Sequence, residues 1–251
     1  MKMRRFVLAL SFGFFALSTS AMAQEFVPGR PGATESAIAV PEGRWQVESE
    51  LASYAHDDES DTDTYSLLET TFRYGVATSW DVEAIVAPIN RVESNGSENT
   101  GFGDVTLRVR KTMYGLDGGN SLGFIGYVTL PTAEDGLGAD EVEGGVIAAG
   151  DYGLDGGWGL TWTAGAGAVS IDDDYEGTVF GGVSFGHDIT DKVGGYVELF
   201  AENVDDDTNA TLDLGVTYLA RQDVQFDAGI DLGLTDDADD VRVFVGWARR
   251  F

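Results

Sequence analysis

The chain has 251 residues, with 43 acidic and 15 basic side chains and a formal net charge of −28. So acidic a protein repels nucleic-acid phosphates, so we expect no nucleic-acid partner. A hydrophobic content of 43% excludes a disordered chain, and the lack of cysteine excludes a disulfide framework. The 34 glycines and five prolines are typical of a β protein with tight turns.

The N-terminus has the anatomy of a secretory signal peptide. Three basic residues precede an apolar stretch over 6–17, and "AMA" at 21–23 fits an A-x-A cleavage site. The apolar stretch is too short to cross a bilayer as a helix. We therefore predict that residues 1–23 are removed near Ala23 as the chain is exported.

The next segment, 24–43, contains three prolines and no sustained alternation of apolar and polar residues. This pattern disfavours a strand. We expect a periplasmic N-terminal segment that lies below the domain at 44–251 or tucks into its lower lumen. In the lumen, Arg30 would meet a carboxylate.

The remainder, 44–251, alternates between apolar and polar residues, as strands do. One face of each segment is apolar, and the other is polar, charged or glycine. The twelve predicted strands are 44–55, 64–75, 79–91, 102–114, 120–131, 143–153, 158–170, 178–188, 193–203, 209–220, 223–235 and 241–251.

The connections between these strands are of two kinds that alternate along the chain. Five are short, such as "GVATS" and "DITDK", whereas six are generally longer and acidic, such as "HDDESDTD" and "TDDADD". The acidic six hold 23 of the 43 acidic residues and no lysine or arginine. This asymmetry, with an even strand count, is typical of a transmembrane up-and-down antiparallel β-barrel of the outer membrane. Both termini are then periplasmic and all acidic loops lie outside.

The final stretch, "DDVRVFVGWARRF", alternates up to the last residue, Phe251. In a barrel the last strand pairs with the first, so it must be fully specified. A terminal strand that ends in an aromatic residue resembles the insertion signal of bacterial outer-membrane proteins. Trp247 and Phe251 would carry that signal to the barrel assembly machinery and face membrane lipid at the inner aromatic girdle. The alternative architecture is a secreted β-sandwich, which also alternates.

Several motifs resemble those of one bacterial outer-membrane family, the MetA-pathway of phenol degradation family. "RPGATES" and "VPEGRWQVE" resemble its opening, and "GFGDVTLRVRK" resembles its G-x-G-D segment with the lysine one position late. "YVTLPTA" resembles its L-P-T-G strand end, although Ala133 replaces the usual glycine. The closing match comprises Asp227, Gly229, Gly233, Leu234, Asp240, Gly246, Arg250 and Phe251.

The resemblance implies an outer-membrane barrel that passes small molecules, aromatic or other hydrophobic compounds among them. A channel needs no cofactor, and a sequence with two histidines and no cysteine gives poor support for an enzyme. The alternative function is a closed structural or cell-contact barrel that acts through its acidic outer loops. The sequence does not identify the solute.

The inward-facing positions of the predicted strands carry charges of both signs. Such charges either pair into a rigid network or line a water path and set its selectivity. The candidate lumen residues are Glu69, Arg73, Arg108, Arg110, Asp213, Asp227, Asp231 and Arg242. Because the outer mouth is acidic, we predict a pore that prefers cations or neutral solutes. A basic constriction formed by Arg108, Arg110 and Arg242 would overturn that preference.

Two further candidate sites have weaker support. A serine near His56, either Ser53 or Ser60, would make a hydrolase only in a context that this sequence lacks. Acidic runs such as Asp172, Asp173 and Asp174 contain calcium-type oxygen ligands but no EF-hand pattern. A solvated acidic surface, suited to a salt-rich habitat, is the favoured interpretation of these runs.

Overall fold

A computed structural model describes residues 26–116, 119–171 and 174–251, so the predicted signal peptide lies outside the described residues. The structure is all-β, with fourteen segments of antiparallel strand. They are β1 (Trp45–Asp57), β2 (Thr62–Ala77), β3 (Trp80–Val86), β4 (Ile89–Ser94), β5 (Ser97–Gly101), β6 (Val105–Tyr114), β7 (Ser121–Leu130), β8 (Glu143–Gly153), β9 (Trp158–Ile171), β10 (Asp174–Asp188), β11 (Val193–Val204), β12 (Asp207–Arg221), β13 (Val224–Gly233) and β14 (Val241–Arg250).

The sheet closes on itself through its first and last strands. β1 pairs with β2 on one side and with β14 on the other, from Gln46 opposite Arg250 to His56 opposite Val241. Phe251 extends this seam, because its N–H donates to the carbonyl of Trp45 at 2.8 Å. Closure removes the free edges and excludes the sandwich alternative.

The fourteen segments occupy twelve positions around the barrel, which confirms the predicted strand number. β3 and β4 both pair with β2, and they are separated only by Ala87 and Pro88. Likewise β5 pairs with β4, and β6 pairs with β3. Proline has no N–H to donate to a ladder, so a break at Pro88 is expected. Gly103 N–H bridges the two breaks by donating to the Ala87 carbonyl at 2.8 Å.

Two of the acidic connections, predicted as loops, consist mostly of strand. "VESNGSENTG", predicted as a loop, is largely β4 and β5 around a tight turn at Asn95 and Gly96, which have φ of 51° and 79°. The acidic sequence at 203–209 is also mostly strand. These strand ends are polar on both faces, so the apolar alternation stops although the backbone pairing continues. The longer acidic loops are 131–142 and 234–240.

The two faces of the wall differ as the alternation predicted. On β14, Val243 and Val245 are 41% and 47% exposed on the outside, whereas Phe244 between them is 4% exposed and faces inward. The exposed aromatic side chains Trp45, Trp80 and Phe251 lie at the end of the barrel where strands meet the short connections. We call this the short-turn end of the barrel and the opposite one the acidic end.

No helix in the described part of the chain is long and apolar enough to cross a membrane.

Candidate functional site

The N-terminal segment lies inside the barrel. Residues 26–43 form no strand of the sheet, and Ala37 to Val40 are each at most 3% exposed. The segment bonds to inward side chains of β1, β3, β6, β8, β9, β11 and β13, which surround the lumen. Asp81 and Asp151 place these contacts near the short-turn end. We refer to residues 29–40 as the plug.

The barrel holds the plug mainly through its backbone. Buried N–H groups must find acceptors, and a segment that forms no ladder needs them from side chains. Four carboxylates on different strands supply most of them. Glu48 accepts from Gly29 (2.8 Å) and Arg30 (3.1 Å), Glu198 from Ala33 (2.7 Å) and Thr34 (3.2 Å), Asp151 from Ala37 (2.9 Å), and Asp81 from Val40 (2.7 Å).

Two charged side chains of the plug add ion pairs. The Arg30 guanidinium lies 3.0 Å from Asp227 and 3.5 Å from Glu50, which is the kind of carboxylate contact that the sequence suggested. The Glu35 carboxylate bonds Arg108 at 2.5 Å and Arg110 at 2.8 Å. Burial alone would raise the pKa of Glu35, but these two arginines outweigh it and hold that pKa below its ordinary value.

Behind the plug, one wall of the lumen is a buried ion network. Arg73, only 1% exposed, pairs with Glu48 at 3.1 Å and with Asp81 at 2.8 Å. Glu83 joins the network between the arginines, 2.8 Å from Arg110 and 3.3 Å from Arg108. These residues stand on β1, β2, β3 and β6, so we call this surface the basic wall.

The facing surface, on β11 to β13, is richer in carboxylates. Glu198, Asp213 and Asp231 are direct neighbours on three adjacent strands. One arginine on β14, Arg242, reaches Asp231 at 2.7 Å and Glu50 at 2.6 Å. We call this surface the acidic wall.

Two cavities lie along the lumen, with the plug between them. The cavity on the side of the acidic end, which we call the outer cavity, has a volume of about 310 Å³ and is lined by both walls. The inner cavity, of about 590 Å³, opens among the strand ends next to the short turns, near Trp158 and Gly194. Residues 29–32 line both cavities, so this part of the plug is the partition between them.

The structure places all eight predicted lumen residues around these cavities or against the plug. Seven line the outer cavity, and Asp227 contacts Arg30. Sequence reasoning missed several partners on the inward parity, which are Glu48, Glu50, Asp81, Glu83 and Glu198. The alternation of β1 and β3 carried the signal for the first four. Glu35 lies outside any strand, and no periodicity pointed to it.

Among the described residues, neither the hydrolase candidate at His56 nor the calcium candidate in the acidic runs has the geometry of such a site. Both ring nitrogens of His56 bond carboxylates, Asp63 and Asp58, each at 2.9 Å, rather than a serine. Asp174 begins β10 and is exposed, while Asp172 and Asp173 lie outside the described residues. Within the described ranges, no group of three His, Cys, Asp or Glu side chains is arranged to hold a metal ion.

A closed antiparallel barrel of twelve strand positions, apolar outside and charged inside, defines a β-barrel of the outer-membrane type. The family described as "Putative MetA-pathway of phenol degradation" matches residues 28–251, and the chain belongs to this family. The match includes the plug as well as the barrel.

Solved structures support the same fold. The COG4313 outer membrane channel from Pseudomonas putida F1 superimposes with a TM-score of 0.65, at 17% identity, over 88% of this chain and 99% of that one. The β domain of the Bordetella autotransporter BrkA gives 0.54 at 15% identity, over 84% and 100%. The NanC porin gives 0.53 at 8% identity, over 82% and 98%. Comparison with curated proteins finds no match.

Proposed function

We propose that the protein is an outer-membrane channel for small cationic or neutral solutes, closed at rest by the plug. The observation that carries this proposal is the partitioned lumen, with a polar cavity on either side of residues 29–32. The plug is held by hydrogen bonds and ion pairs to the wall, with no covalent link beyond its own chain. A segment of this kind is displaceable without unfolding the barrel.

The charges of the lumen support the predicted selectivity. The sequence left open a basic constriction, which would favour anions. Each of Arg108, Arg110 and Arg242 contacts two carboxylates instead. Paired arginines present little free positive field to a solute, so the acidic mouth sets the sign of the potential.

The family description and the neighbour named as an outer membrane channel also favour a channel. Aromatic or other hydrophobic solutes enter the proposal through the family description alone. The proposed orientation puts both termini in the periplasm and the acidic end outside. The mature chain would reach that location after signal-peptide cleavage near Ala23 and assembly through the strand that contains Trp247 and Phe251.

The second candidate is a closed structural or cell-contact barrel. The observation in its favour is the buried ion network of the basic wall, which makes that part of the lumen rigid. Its acidic end would then be the working surface.

The test compares the mature protein with a variant that lacks residues 24–36. Heat-modifiable gel mobility should show that both barrels assemble, because these residues belong to no strand of the sheet. In planar bilayers the variant should give conductance steps at least about tenfold more often, and liposomes that contain it should swell faster in small neutral solutes. Assembled barrels of both kinds with neither conductance nor swelling would instead support the closed structural barrel.

A further inference from the structure

The acidic wall contains a charge arrangement that its own contacts do not balance. Glu198, Asp213 and Asp231 lie directly opposite one another on β11, β12 and β13. Like charges at directly opposite positions destabilise a sheet. The outer two have partners, since Glu198 accepts N–H groups of the plug and Asp231 pairs with Arg242. Asp213, in the middle, has no positive partner among the described residues.

Asp213 is also deeply buried. The residue is 3% exposed, and its Oδ1 has no hydrogen-bond partner in the described structure. A buried carboxylate oxygen without a partner is costly, and such groups call for an explanation. The Tyr196 hydroxyl on the same wall is likewise buried without a partner. Asp213 lines the outer cavity, so a ligand in that cavity could supply what the protein does not.

A second carboxylate completes the arrangement. Glu69 on β2 lines the same cavity and is solvent-exposed, and no hydrogen bond or ion pair within the described ranges involves it. It also stands directly opposite Glu50, whose positive partners are Arg30 and Arg242. The outer cavity therefore holds two carboxylates that form no ion pair with any of the described residues.

The chemistry of the cavity selects the kind of cation. No trio of metal-type ligands is present in the part of the chain described, which disfavours a metal ion. An ammonium group carries several N–H donors and one positive charge, and it matches an acceptor-only carboxylate. A volume of about 310 Å³ is at the small end of ligand pockets, so the rest of the solute must be small.

We propose that Asp213, assisted by Glu69, binds the ammonium group of a small organic cation in the outer cavity. The proposal deepens the proposed function by naming a solute class. It rests on that function for passage through the barrel but not for binding.

The experiment measures binding of ethanolamine to the full-length mature protein in detergent at neutral pH, by ligand-observed NMR titration. Ethylene glycol replaces the ammonium with a neutral hydroxyl at similar size and serves as the matched ligand. The variants are Asp213→Asn and Glu69→Gln. Asp206→Asn, in the β11–β12 turn, removes the same charge far from the cavity and is the matched control.

We expect ethanolamine to bind and ethylene glycol not to bind. Asp213→Asn should weaken ethanolamine binding about tenfold or more, because it removes one hydrogen bond to a charged group. Glu69→Gln should weaken binding less, and Asp206→Asn should leave it unchanged. Equal binding of the two ligands, or wild-type affinity in Asp213→Asn, would overturn the proposal. If Asp213→Asn does not assemble, the proposal is overturned when Glu69→Gln binds ethanolamine with wild-type affinity and the unmodified protein also binds ethylene glycol.

Liposome swelling in ethanolamine separates this proposal from the channel function, and it is measured in the variant that lacks residues 24–36, because the plug closes the intact protein at rest. Binding to the full mature protein that depends on Asp213, without any swelling in that variant, would contradict the channel and retain the site. Swelling of that variant that is the same with and without Asp213→Asn, with no specific binding, would retain the channel and contradict the site.

Discussion

The two walls of the lumen use the same residue types and balance them differently. On the basic wall, every arginine is buried or nearly so and contacts at least two carboxylates. On the acidic wall, three carboxylates stand side by side and only Asp231 has an arginine within reach. The first arrangement stabilises the barrel and anchors the plug. The second leaves negative charge facing a cavity, so composition alone does not distinguish structural from functional charges.

The largest expected effect comes from breaking the basic wall. Arg73→Met would leave Glu48 and Asp81 buried without their cation. Removal of one partner from a buried ion pair destabilises a protein by about 3–5 kcal/mol. Urea unfolding in detergent, followed by the loss of heat-modifiable mobility, measures this change.

Arg91→Met is the matched control for that variant. Arg91 pairs with Glu93 and Glu98 at the acidic end, where its side chain is 43% exposed. Exposed pairs contribute about 0–1 kcal/mol, so this variant should unfold close to wild type. An equal loss of stability in both variants would contradict the distinction between a buried network and surface pairs.

A smaller effect should come from Glu35, which ties the plug to the basic wall. Its pKa is lowered in the folded protein, so the free energy that it contributes is present above its ordinary pKa of 4.5 and is lost as the pH falls through the lowered pKa. Glu35→Gln should therefore loosen the plug at neutral pH, by about 1.5–3 kcal/mol for charged hydrogen bonds, and the difference from wild type should shrink in acid.

Hydrogen exchange of the plug amides at several pH values measures that difference. Glu42→Gln is the control, because Glu42 is exposed in the same segment and its carboxylate accepts one side-chain hydrogen bond among the described residues, from the Thr78 hydroxyl at 3.1 Å. A Glu35→Gln effect that stays constant down to strongly acidic pH would show that the carboxylate charge does not hold the plug.

The smallest effect concerns the acidic end. Asparagine at Asp172, Asp173 and Asp174, which the sequence places in an acidic loop, should lower cation preference without changing stability, because the charges of such a loop contribute little to folding. The preference of the unmodified channel should weaken with salt as the Debye length shrinks to about 8–10 Å. Reversal potentials of the open events of the full mature protein, which retains Glu35 beside Arg108 and Arg110, measure both. Anion selectivity of that protein at low salt would contradict the role given to the acidic wall and mouth.

The sequence determined the barrel. Period-two alternation fixes which residues face outward, and a closed sheet is the way for strands to satisfy their backbone in a membrane. The strand count and the closing role of the final strand were therefore predictable before any coordinates, and the structure places the eight candidate lumen charges around the cavities or against the plug. The predicted strands also ended too early, because a strand end such as 97–101 is polar on both faces and shows no alternation.

Only the tertiary structure decided which inward charges meet. Glu48, Asp81 and Arg73 come from three strands, and their pairing depends on register, which a period-two pattern does not specify between strands. The path of the plug could not be predicted from the sequence either. A segment without regular structure is positioned by the hydrogen-bond acceptors that the closed wall supplies. Asp213 shows the limit most clearly. Its parity predicted that it faces inward, but only the finished barrel shows that no cation among the described residues pairs with it.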